Sequence, residues 1–304
     1  MTSVYLLNIL LVLGSVQANP LTVDHDVGFL EDVRGSSVRI VGGIEATEGQ
    51  IPYQVYMRTV RADGGVLSCG GSIIHNEWVL TAAHCLGSFV KFYIRFGVIH
   101  LDKPLLVLEE DDSNAFLYPT YIGDLIQVQP NDIGLLKLSS SVPFGPTIQP
   151  IRLQNSKQKD IDYTGQRLIV SGFGYTDESW HGDSSSDVLL WTFVRGYSNQ
   201  DCARIYRSVR ESTVCAESYN ATQSACYGDS GGPLTKIDED GRVTQIGVVS
   251  FGSRLGCTIG RPTGYIRPGY YHDWFEEITG IDFDWESYES NSIVVAGHEL
   301  AEEH

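Results

Sequence analysis

Short runs of alternating or β-branched residues, each ended by Gly, Pro, Asn or Asp, are the feature that most constrains this fold. Runs of this length are typical of antiparallel all-β proteins, because a half-buried strand needs only roughly four to eight residues. One helix is predicted at residues 271–279, with Gly280 as its stop. The clearest strand runs are residues 52–59, 69–74, 92–96, 134–138, 168–171 and 245–251.

Charge narrows the range of partners that this chain can have. The sequence carries 38 Asp and Glu against 21 Lys and Arg, for a net charge of −17 at neutral pH. Nucleic acids and anionic membrane surfaces attract cationic patches, so neither is an expected partner. The 42% share of hydrophobic residues is enough to bury a core. No cofactor is expected.

The first residues have the pattern of a secretory signal. An apolar run at residues 5–13 is followed by Gly-Ser-Val-Gln-Ala, and small residues of this kind precede a cut after Ala18. The run is shorter than the roughly 20 apolar residues that a membrane span needs. Residues 1–18 are therefore predicted to be the signal peptide of a secreted, extracellular protein. Six cysteines suit the same oxidising compartment, although the sequence alone leaves many pairings open.

Residues 226–234, Cys-Tyr-Gly-Asp-Ser-Gly-Gly-Pro-Leu, give one serine an unusual setting. The glycines around Ser230 allow a tight turn whose backbone N–H groups point outward. A serine hydroxyl is a weak nucleophile unless a base activates it and a third group orients that base. Both residue types occur upstream, as His84 in Thr-Ala-Ala-His-Cys and as Asp132 in Asn-Asp-Ile-Gly-Leu-Leu.

Each motif alone has a simpler explanation. A Gly-Asp-Ser-Gly-Gly run could be a surface turn, and Asp132 is one of 38 acidic residues. A histidine beside a cysteine could be a core residue or a zinc ligand, with Cys69 and Cys85 as the partners. No second Cys-x-x-Cys or His-x-x-x-His pair accompanies them, so no metal site is expected. The three motifs together favour a catalytic triad.

With its motifs in the order His, Asp, Ser, the chain resembles the trypsin/chymotrypsin family of serine endopeptidases. Among its members it is most similar to invertebrate chymotrypsin-like digestive proteases, including collagenolytic ones. The resemblance implies an all-β fold of two six-stranded antiparallel barrels, with the active site between them and a short C-terminal helix. It places a protease domain at 40–280, with barrels at about 55–145 and 151–270. Residues 281–304 are acidic, without Lys or Arg, and are expected to be a disordered extension.

The resemblance also assigns chemical roles. It implies that Ser230 is the nucleophile, that His84 is the general base and then the acid, and that Asp132 orients the imidazole. The backbone N–H groups of Gly228 and Ser230 would form the oxyanion hole. Protein or peptide substrates are the implied partners, and we expect the chain to act as a monomer. Digestion of dietary protein is the leading expectation for its role.

Activation by cleavage is implied by residues 19–43. A polar propeptide at 19–39 ends in Arg39 and is followed by Ile40-Val-Gly-Gly, the start of the mature chain in the resembling family. A protease that cuts after arginine would free an ammonium group on Ile40, which would then pair with Asp229. A buried carboxylate without a partner is costly, so Asp229 should settle only after that cut.

The family pattern fixes the disulfides and the substrate pocket. It implies the pairs Cys69–Cys85, Cys202–Cys215 and Cys226–Cys257. The floor of the pocket would be Ser224, which is neutral, so the residue before the cut bond should be uncharged and apolar. Further substrate-binding residues would be Ser250 and Gly252, whose backbone pairs with the substrate, and Thr263 on the far wall.

The remaining motifs carry weaker signals, and two other functions compete with the endopeptidase. The acidic run at 109–112 does not match a calcium loop and is expected to be a solvated loop. Asn220 begins an Asn-Ala-Thr sequon and is a glycosylation candidate. The main alternative function is a non-catalytic protease homologue that serves as a binding or cofactor module, which the complete triad disfavours. An esterase is rejected because the histidine precedes the serine.

Overall fold

The computed structural model describes residues 43–123, 130–175, 185–206, 209–219 and 224–285. The predicted signal peptide, the propeptide with its Arg39–Ile40 junction, and the sequon at Asn220 lie outside these residues, as does the chain after 285. None of the helices in the described ranges has the length and apolar character that a membrane crossing requires.

Strands dominate the described residues and form two sheets, one from each half of the chain, except that the short strand Ile44–Glu45 joins the C-terminal sheet. The boundaries agree with the predicted runs to within a few residues, because alternating burial and turn residues both act locally. The strands are β1 (Ile44–Glu45), β2 (Gln54–Val60), β3 (Val66–His75), β4 (Trp78–Thr81), β5 (Lys91–Phe96), β6 (Leu106–Asp111), β7 (Ala115–Leu117), β8 (Gly134–Lys137), β9 (Arg152–Leu153), β10 (Arg167–Gly172), β11 (Leu190–Tyr197), β12 (Thr213–Ser218), β13 (Pro233–Ile237), β14 (Val243–Phe251) and β15 (Thr263–Ile266).

The two sheets close to different extents. In the C-terminal half the order β11–β10–β13–β14–β15–β12 returns to β11, which makes a closed six-stranded barrel. In the N-terminal half the order β6–β5–β2–β3–β4–β8–β7 gives a curled sheet, a half-barrel. The predicted mostly β fold is confirmed. The difference from two equal barrels is that the strand pairs of the described residues form a complete ring only in the second half.

Each sheet encloses a hydrophobic core, and the C-terminal helix joins the first of them. Helix α2 (His272–Thr279) places Trp274 and Phe275 in the core of the N-terminal half. Burying one side chain of this size contributes about 1.5–3 kcal/mol. The helix ends at Gly280, whose φ of 70° is left-handed, and the predicted stop is thereby confirmed.

One short helix was not predicted from the sequence. Helix α1 (Asn199–Ile205) has seven residues, too few to show a clear helical period in the sequence. The side chain of Ser198 caps it by accepting a hydrogen bond from the backbone N–H of Asp201 at 3.1 Å.

Two expectations of solvated acidic segments need correction. Residues 281–285 pack against the protein instead of beginning a disordered tail, because Phe283 and Trp285 supply apolar surface within the acidic stretch. The acidic run at 109–112 lies largely on β6. Its Glu110 is buried and accepts hydrogen bonds from the backbone and side chain of Ser139, at 2.7 and 2.9 Å.

Candidate active site

The segment that carries His84 is held from both sides. It forms a single 3₁₀ turn, Ala83–Cys85, directly after β4, and the flanking Ala83 and Cys85 are buried. A disulfide joins Cys85 to Cys69 on β3. Since both ends of the turn are fixed, the imidazole of His84 has little freedom to move away from the cleft. Its side chain remains 20% exposed, which leaves it accessible to a substrate.

Asp132 contacts His84 twice. Its Oδ2 atom lies 2.7 Å from Nδ1 of the imidazole, and its Oδ1 atom accepts a hydrogen bond of 2.8 Å from the backbone N–H of His84. The carboxylate is only 4% exposed. This geometry directs Nε2 of His84 away from Asp132, as a general base requires.

The preceding residue, Asn131, has a left-handed backbone with φ of 59°. Such a conformation is uncommon outside glycine and needs support from its surroundings. Tyr271 donates a hydrogen bond of 2.8 Å to the side-chain oxygen of Asn131, and the amide of Asn131 donates to Thr120 at 2.6 Å. The C-terminal helix region thus helps to fix the loop that carries Asp132. Sequence reasoning missed this support.

The pKa of His84 is shifted upward by its surroundings. Burial acts to lower the pKa of His84, but the negative charge of Asp132 and the hydrogen bond to it outweigh burial, so the net pKa lies above 6.5. The base is therefore strengthened, and it is neutral only at correspondingly higher pH.

Ser250 has a contact that the sequence analysis did not anticipate. We expected only its backbone to contribute, by pairing with a substrate. In the structure its hydroxyl also donates a hydrogen bond of 2.6 Å to Oδ2 of Asp132. Ser250 lies on β14, so this bond ties the C-terminal barrel to the His–Asp pair of the N-terminal half.

The loop that carries Ser230 lies between strand β3 of the N-terminal half and strand β14 of the C-terminal half. The carbonyl of Ser230 accepts a hydrogen bond of 2.7 Å from the N–H of Gly70 on β3, and the N–H of Gly231 donates to Val249 on β14 at 2.8 Å. Gly231 has φ of 82°, and a Cβ atom there would lie 2.1 Å from the hydroxyl of Thr81, three residues before His84. Only glycine permits this close approach.

The backbone N–H groups of Gly228 and Ser230 are available for a ligand. Gly228 has φ of 95°, which turns the loop sharply. Within the described ranges, neither N–H donates a hydrogen bond to another protein group. Two unpaired donors beside one serine hydroxyl form the arrangement that stabilises an oxyanion.

The side chain of Asp229 points into the interior of the protein. It is 1% exposed and accepts hydrogen bonds from the backbone N–H groups of Gly174, at 2.8 Å, and Cys226, at 2.9 Å. Burial raises the pKa of Asp229 to about 6, and the two hydrogen bonds only partly offset burial. The carboxylate fits because Gly172 and Gly174 have no side chains; a Cβ atom at either would lie within 2.3 Å of it.

A cavity of about 140 Å³ opens beside Ser230. The structure places all four predicted substrate-binding residues around it: Ser224, Ser250, Gly252 and Thr263. Ser224 and Thr263 are buried, and Gly252 leaves its surroundings open. Two arginines that the sequence analysis did not consider, Arg254 and Arg261, also line the cavity.

The six cysteines form three disulfides, in the pairs that the resemblance implied: Cys69–Cys85, Cys202–Cys215 and Cys226–Cys257. Cys69, His84 and Cys85 do lie together, as a zinc site would require. However, the two sulfur atoms are bonded to each other and cannot act as thiolate ligands, which argues against zinc.

The mostly β fold and the comparisons with known proteins identify a serine endopeptidase. A family model described as Trypsin matches residues 40–275, and the chain belongs to that family.

Known proteins with similar sequences include invertebrate proteases. A collagenase of Hypoderma lineatum is 33% identical over 279 residues, which cover 90% of this chain and 99% of the relative. Serine protease 1 of Drosophila melanogaster is 33% identical over 254 residues, covering 84% of this chain and 89% of the relative. A solved structure of HL collagenase has a TM-score of 0.69 and 32% identity, and covers 80% of this chain and 99% of the solved one. The resemblance to invertebrate chymotrypsin-like proteases is thus confirmed.

Proposed function

We propose that this protein is a secreted endopeptidase, made as a zymogen, that forms an acyl-enzyme on Ser230 and prefers an uncharged apolar residue before the cut bond. The observation that carries the proposal is the His84–Asp132 pair at 2.7 Å, beside a serine loop with two unpaired backbone N–H groups.

In the first step the hydroxyl oxygen of Ser230 attacks the carbonyl carbon of the substrate, and Nε2 of His84 takes the hydroxyl proton. The carboxylate of Asp132 stabilises the imidazolium that results. The carbonyl oxygen becomes an anion and is met by the N–H groups of Gly228 and Ser230. Each such donor contributes about 10²–10³ in rate.

In the second step the tetrahedral species collapses. The bond between the carbonyl carbon and the amide nitrogen breaks, and His84 returns its proton to the leaving amine. Water then attacks the acyl group on Ser230, with His84 again as the base, and releases the free carboxylic acid product.

The cavity beside Ser230 supports the apolar preference. At about 140 Å³ it can enclose a side chain, and its buried walls include the neutral Ser224 and Thr263. A carboxylate at its floor would be needed to hold a Lys or Arg side chain, and Ser224 provides none. Because a hydrophobic pocket distinguishes one methylene by only about 1–3 kcal/mol, several apolar residues should be accepted.

The setting of Asp229 supports activation by cleavage between Arg39 and Ile40. A carboxylate that is 1% exposed, with a pKa raised to about 6 by burial, gains most from a nearby cation. A new ammonium group on Ile40 would be such a cation. The three disulfides support secretion, because disulfides persist in oxidising compartments.

The test uses the full-length precursor and its cleaved form. We expect the uncut protein, and an Arg39→Ala variant treated in the same way, to be nearly inactive. The protein cut after Arg39 should hydrolyse peptides with Leu, Met, Phe or Tyr before the cut bond. Cleaved Ser230→Ala should lose about 10⁶ in kcat.

Two results would contradict the proposal. Strong preference for Arg or Lys would reject the pocket assignment. A cleaved, folded protein that hydrolyses no peptide and does not react with a fluorophosphonate would favour the non-catalytic binding module instead.

A further inference from the structure

The end of strand β14 is irregular at Ser250. Val249 of β14 pairs with Tyr265 of β15. Two residues further along β14, Phe251 pairs with Gly264, which is only one step along β15. Ser250 is therefore the extra residue of a β-bulge. A bulge bends its strand and changes the direction of the side chains that the strand carries.

Ser250 contributes to the proposed active site in two ways. Its hydroxyl donates a hydrogen bond of 2.6 Å to Oδ2 of Asp132. Under the proposed function, its backbone and that of Gly252 pair with the substrate strand. Both contributions depend on the direction in which the end of β14 points. A group that fixes the bulge therefore also fixes these two contacts.

The ring of Phe251 occupies the space that a side chain on Gly264 would need. A Cβ atom on Gly264 would lie 2.0 Å from Cζ of that ring, and 2.3 and 2.4 Å from its two Cε atoms. These distances are far shorter than van der Waals contact between carbon atoms. Glycine inside a strand weakens the strand and often marks a bulge or a close approach. At Gly264 the missing side chain makes the seat for the ring.

The backbone of Gly264 and the ring of Phe251 are both held by neighbours. Gly264 lies between two strands, opposite Phe251 on β14 and Cys215 on β12, and a disulfide joins Cys215 to helix α1. The ring of Tyr206 meets that of Phe251 edge to face, with centroids 5.2 Å apart. The hydroxyl of Tyr206 donates a hydrogen bond of 2.8 Å to the carbonyl of Pro262, two residues before Gly264. A methyl group on Gly264 would therefore displace the ring, and the ring would move the end of β14.

We propose that Gly264 is a positioning residue of this peptidase: its missing side chain seats Phe251, and the seated ring holds the bulge that aims Ser250. Gly264 is buried, so it acts through these two residues. The inference rests on the proposed function, to which the pairing of Ser250 with a substrate belongs. Loss of the seat should weaken peptide pairing along β14 and the hydrogen bond to Asp132 together.

The experiment compares two reactions of the cleaved enzyme. One is hydrolysis of a peptide that has Leu before the cut bond and further residues before it, so that it can pair with β14. The other is modification of Ser230 by diisopropyl fluorophosphate, which has no peptide backbone. In Gly264→Ala, kcat/KM for the peptide should fall about 100-fold, and the rate of modification about tenfold or less, because a displacement of about 1 Å costs roughly 10² in rate. A loss of folded enzyme would lower both rates by the same factor.

Phe251→Leu provides the rescue. Leucine is smaller than phenylalanine, so the added methyl group has room in the double variant Phe251→Leu/Gly264→Ala. This double variant should regain about tenfold or more of the peptide activity that Gly264→Ala loses. If Gly264→Ala does not fold, Phe251→Leu alone tests the inference. It empties part of the seat, so peptide hydrolysis should fall severalfold more than modification.

Gly196→Ala is the matched control. Gly196 is also a glycine inside a strand of the C-terminal barrel, but its Cβ atom would meet the carbonyl oxygen of Tyr163, at 1.8 Å, and not the ring of Phe251. This variant should lower the Tm and leave the ratio of the two rates unchanged.

Peptide binding to the Ser230→Ala variant separates this inference from the proposed function. Adding Gly264→Ala should weaken that binding about tenfold, whether or not hydrolysis is observed. Unchanged peptide hydrolysis in Gly264→Ala, an equal fall in hydrolysis and modification, or a double variant no more active than Gly264→Ala would overturn the inference and leave the peptidase assignment intact. A cleaved protein that binds the peptide in this way, but neither hydrolyses it nor reacts with the fluorophosphate, would overturn the proposed function alone.

Discussion

Each half of the cleft contains one buried aspartate, Asp132 or Asp229, and the two carboxylates differ in their hydrogen-bond and charge partners. On the N-terminal side, Asp132 accepts hydrogen bonds from the backbone of His84, from its imidazole and from Ser250. On the C-terminal side, Asp229 is as deeply buried, yet within the described ranges it accepts hydrogen bonds from two backbone N–H groups and pairs with no cation. The carboxylate of Asp132 is therefore fully hydrogen-bonded, while the described residues offer the carboxylate of Asp229 two backbone N–H groups and no cation.

The buried carboxylate of Asp229 should make the stability of the folded protein depend on pH. Asp229 has a folded pKa of about 6 against an ordinary value of 3.8. Between these two values the folded protein keeps a proton that the unfolded chain has released, so stability falls as pH rises through this window. Above about pH 6 the cost is fully present, on the order of 3 kcal/mol, unless a cation pairs with the carboxylate.

The largest effect should come from removing the negative charge of Asp132 beside His84. In the mature enzyme, Asp132→Asn should lower kcat by about 10⁴, because the imidazole loses the carboxylate that fixes its tautomer. The raised pKa of His84 should also fall toward or below 6.5, since the charge that raises it is removed. The acid limb of kcat against pH, where protonated His84 cannot accept a proton, should therefore move to lower pH.

Thermal unfolding of Asp132→Asn provides the control, because an unfolded variant would lose activity for a trivial reason. A loss smaller than tenfold in a folded protein would show that this side of the cleft does not orient the base.

A smaller effect should follow from disturbing the side that depends on Asp229. A Cβ atom on Gly174 would lie 2.3 Å from a carboxylate oxygen of Asp229, so Gly174→Ala must displace that side chain and with it the N–H groups of Gly228 and Ser230. Displacement by about 1 Å costs on the order of 10² in rate, which we expect in kcat of the mature enzyme.

Gly145→Ala is the matched control, because a Cβ atom there meets no other atom within 4 Å. It should leave kcat unchanged. Equal activity of the two alanine variants would mean that the position of Asp229 does not govern the serine loop.

How much of this site could be predicted depends on how local each feature is. His84, Asp132 and Ser230 stand in short motifs whose residue types follow from the chemistry, so the sequence indicates them. The hydroxyl of Ser250 on Asp132 joins residues 118 positions apart, and no local pattern records that contact. The same holds for the fold: turn residues predict the strands, but whether a sheet closes on itself depends on pairs such as that between β11 and β12.

The two arginines beside the cavity and the packing of the C-terminal segment could not be predicted for related reasons. Arg254 and Arg261 stand in a loop without regular periodicity, so only the folded chain shows that both face the cavity. Trp285 lies in an acidic stretch whose composition favours disorder, and its partner, Leu153, is 132 positions away.

The smallest effect should come from loosening the C-terminal segment around Trp285. The indole N–H of Trp285 donates a hydrogen bond of 2.7 Å to the carbonyl of Leu153, and the guanidinium of Arg152 lies 4.0 Å above the ring. These contacts contribute about 1–3 kcal/mol together. Trp285→Ala should lower the Tm by roughly 3–8 °C at unchanged kcat/KM. Trp285→Phe keeps the aromatic face and loses the N–H, so its Tm should lie between that of the unmodified protein and that of Trp285→Ala.

A Trp285→Ala protein with unaltered Tm would show that the packed segment adds nothing to stability. One with lost activity would show that the second half of the cleft depends on this segment as well as on Asp229.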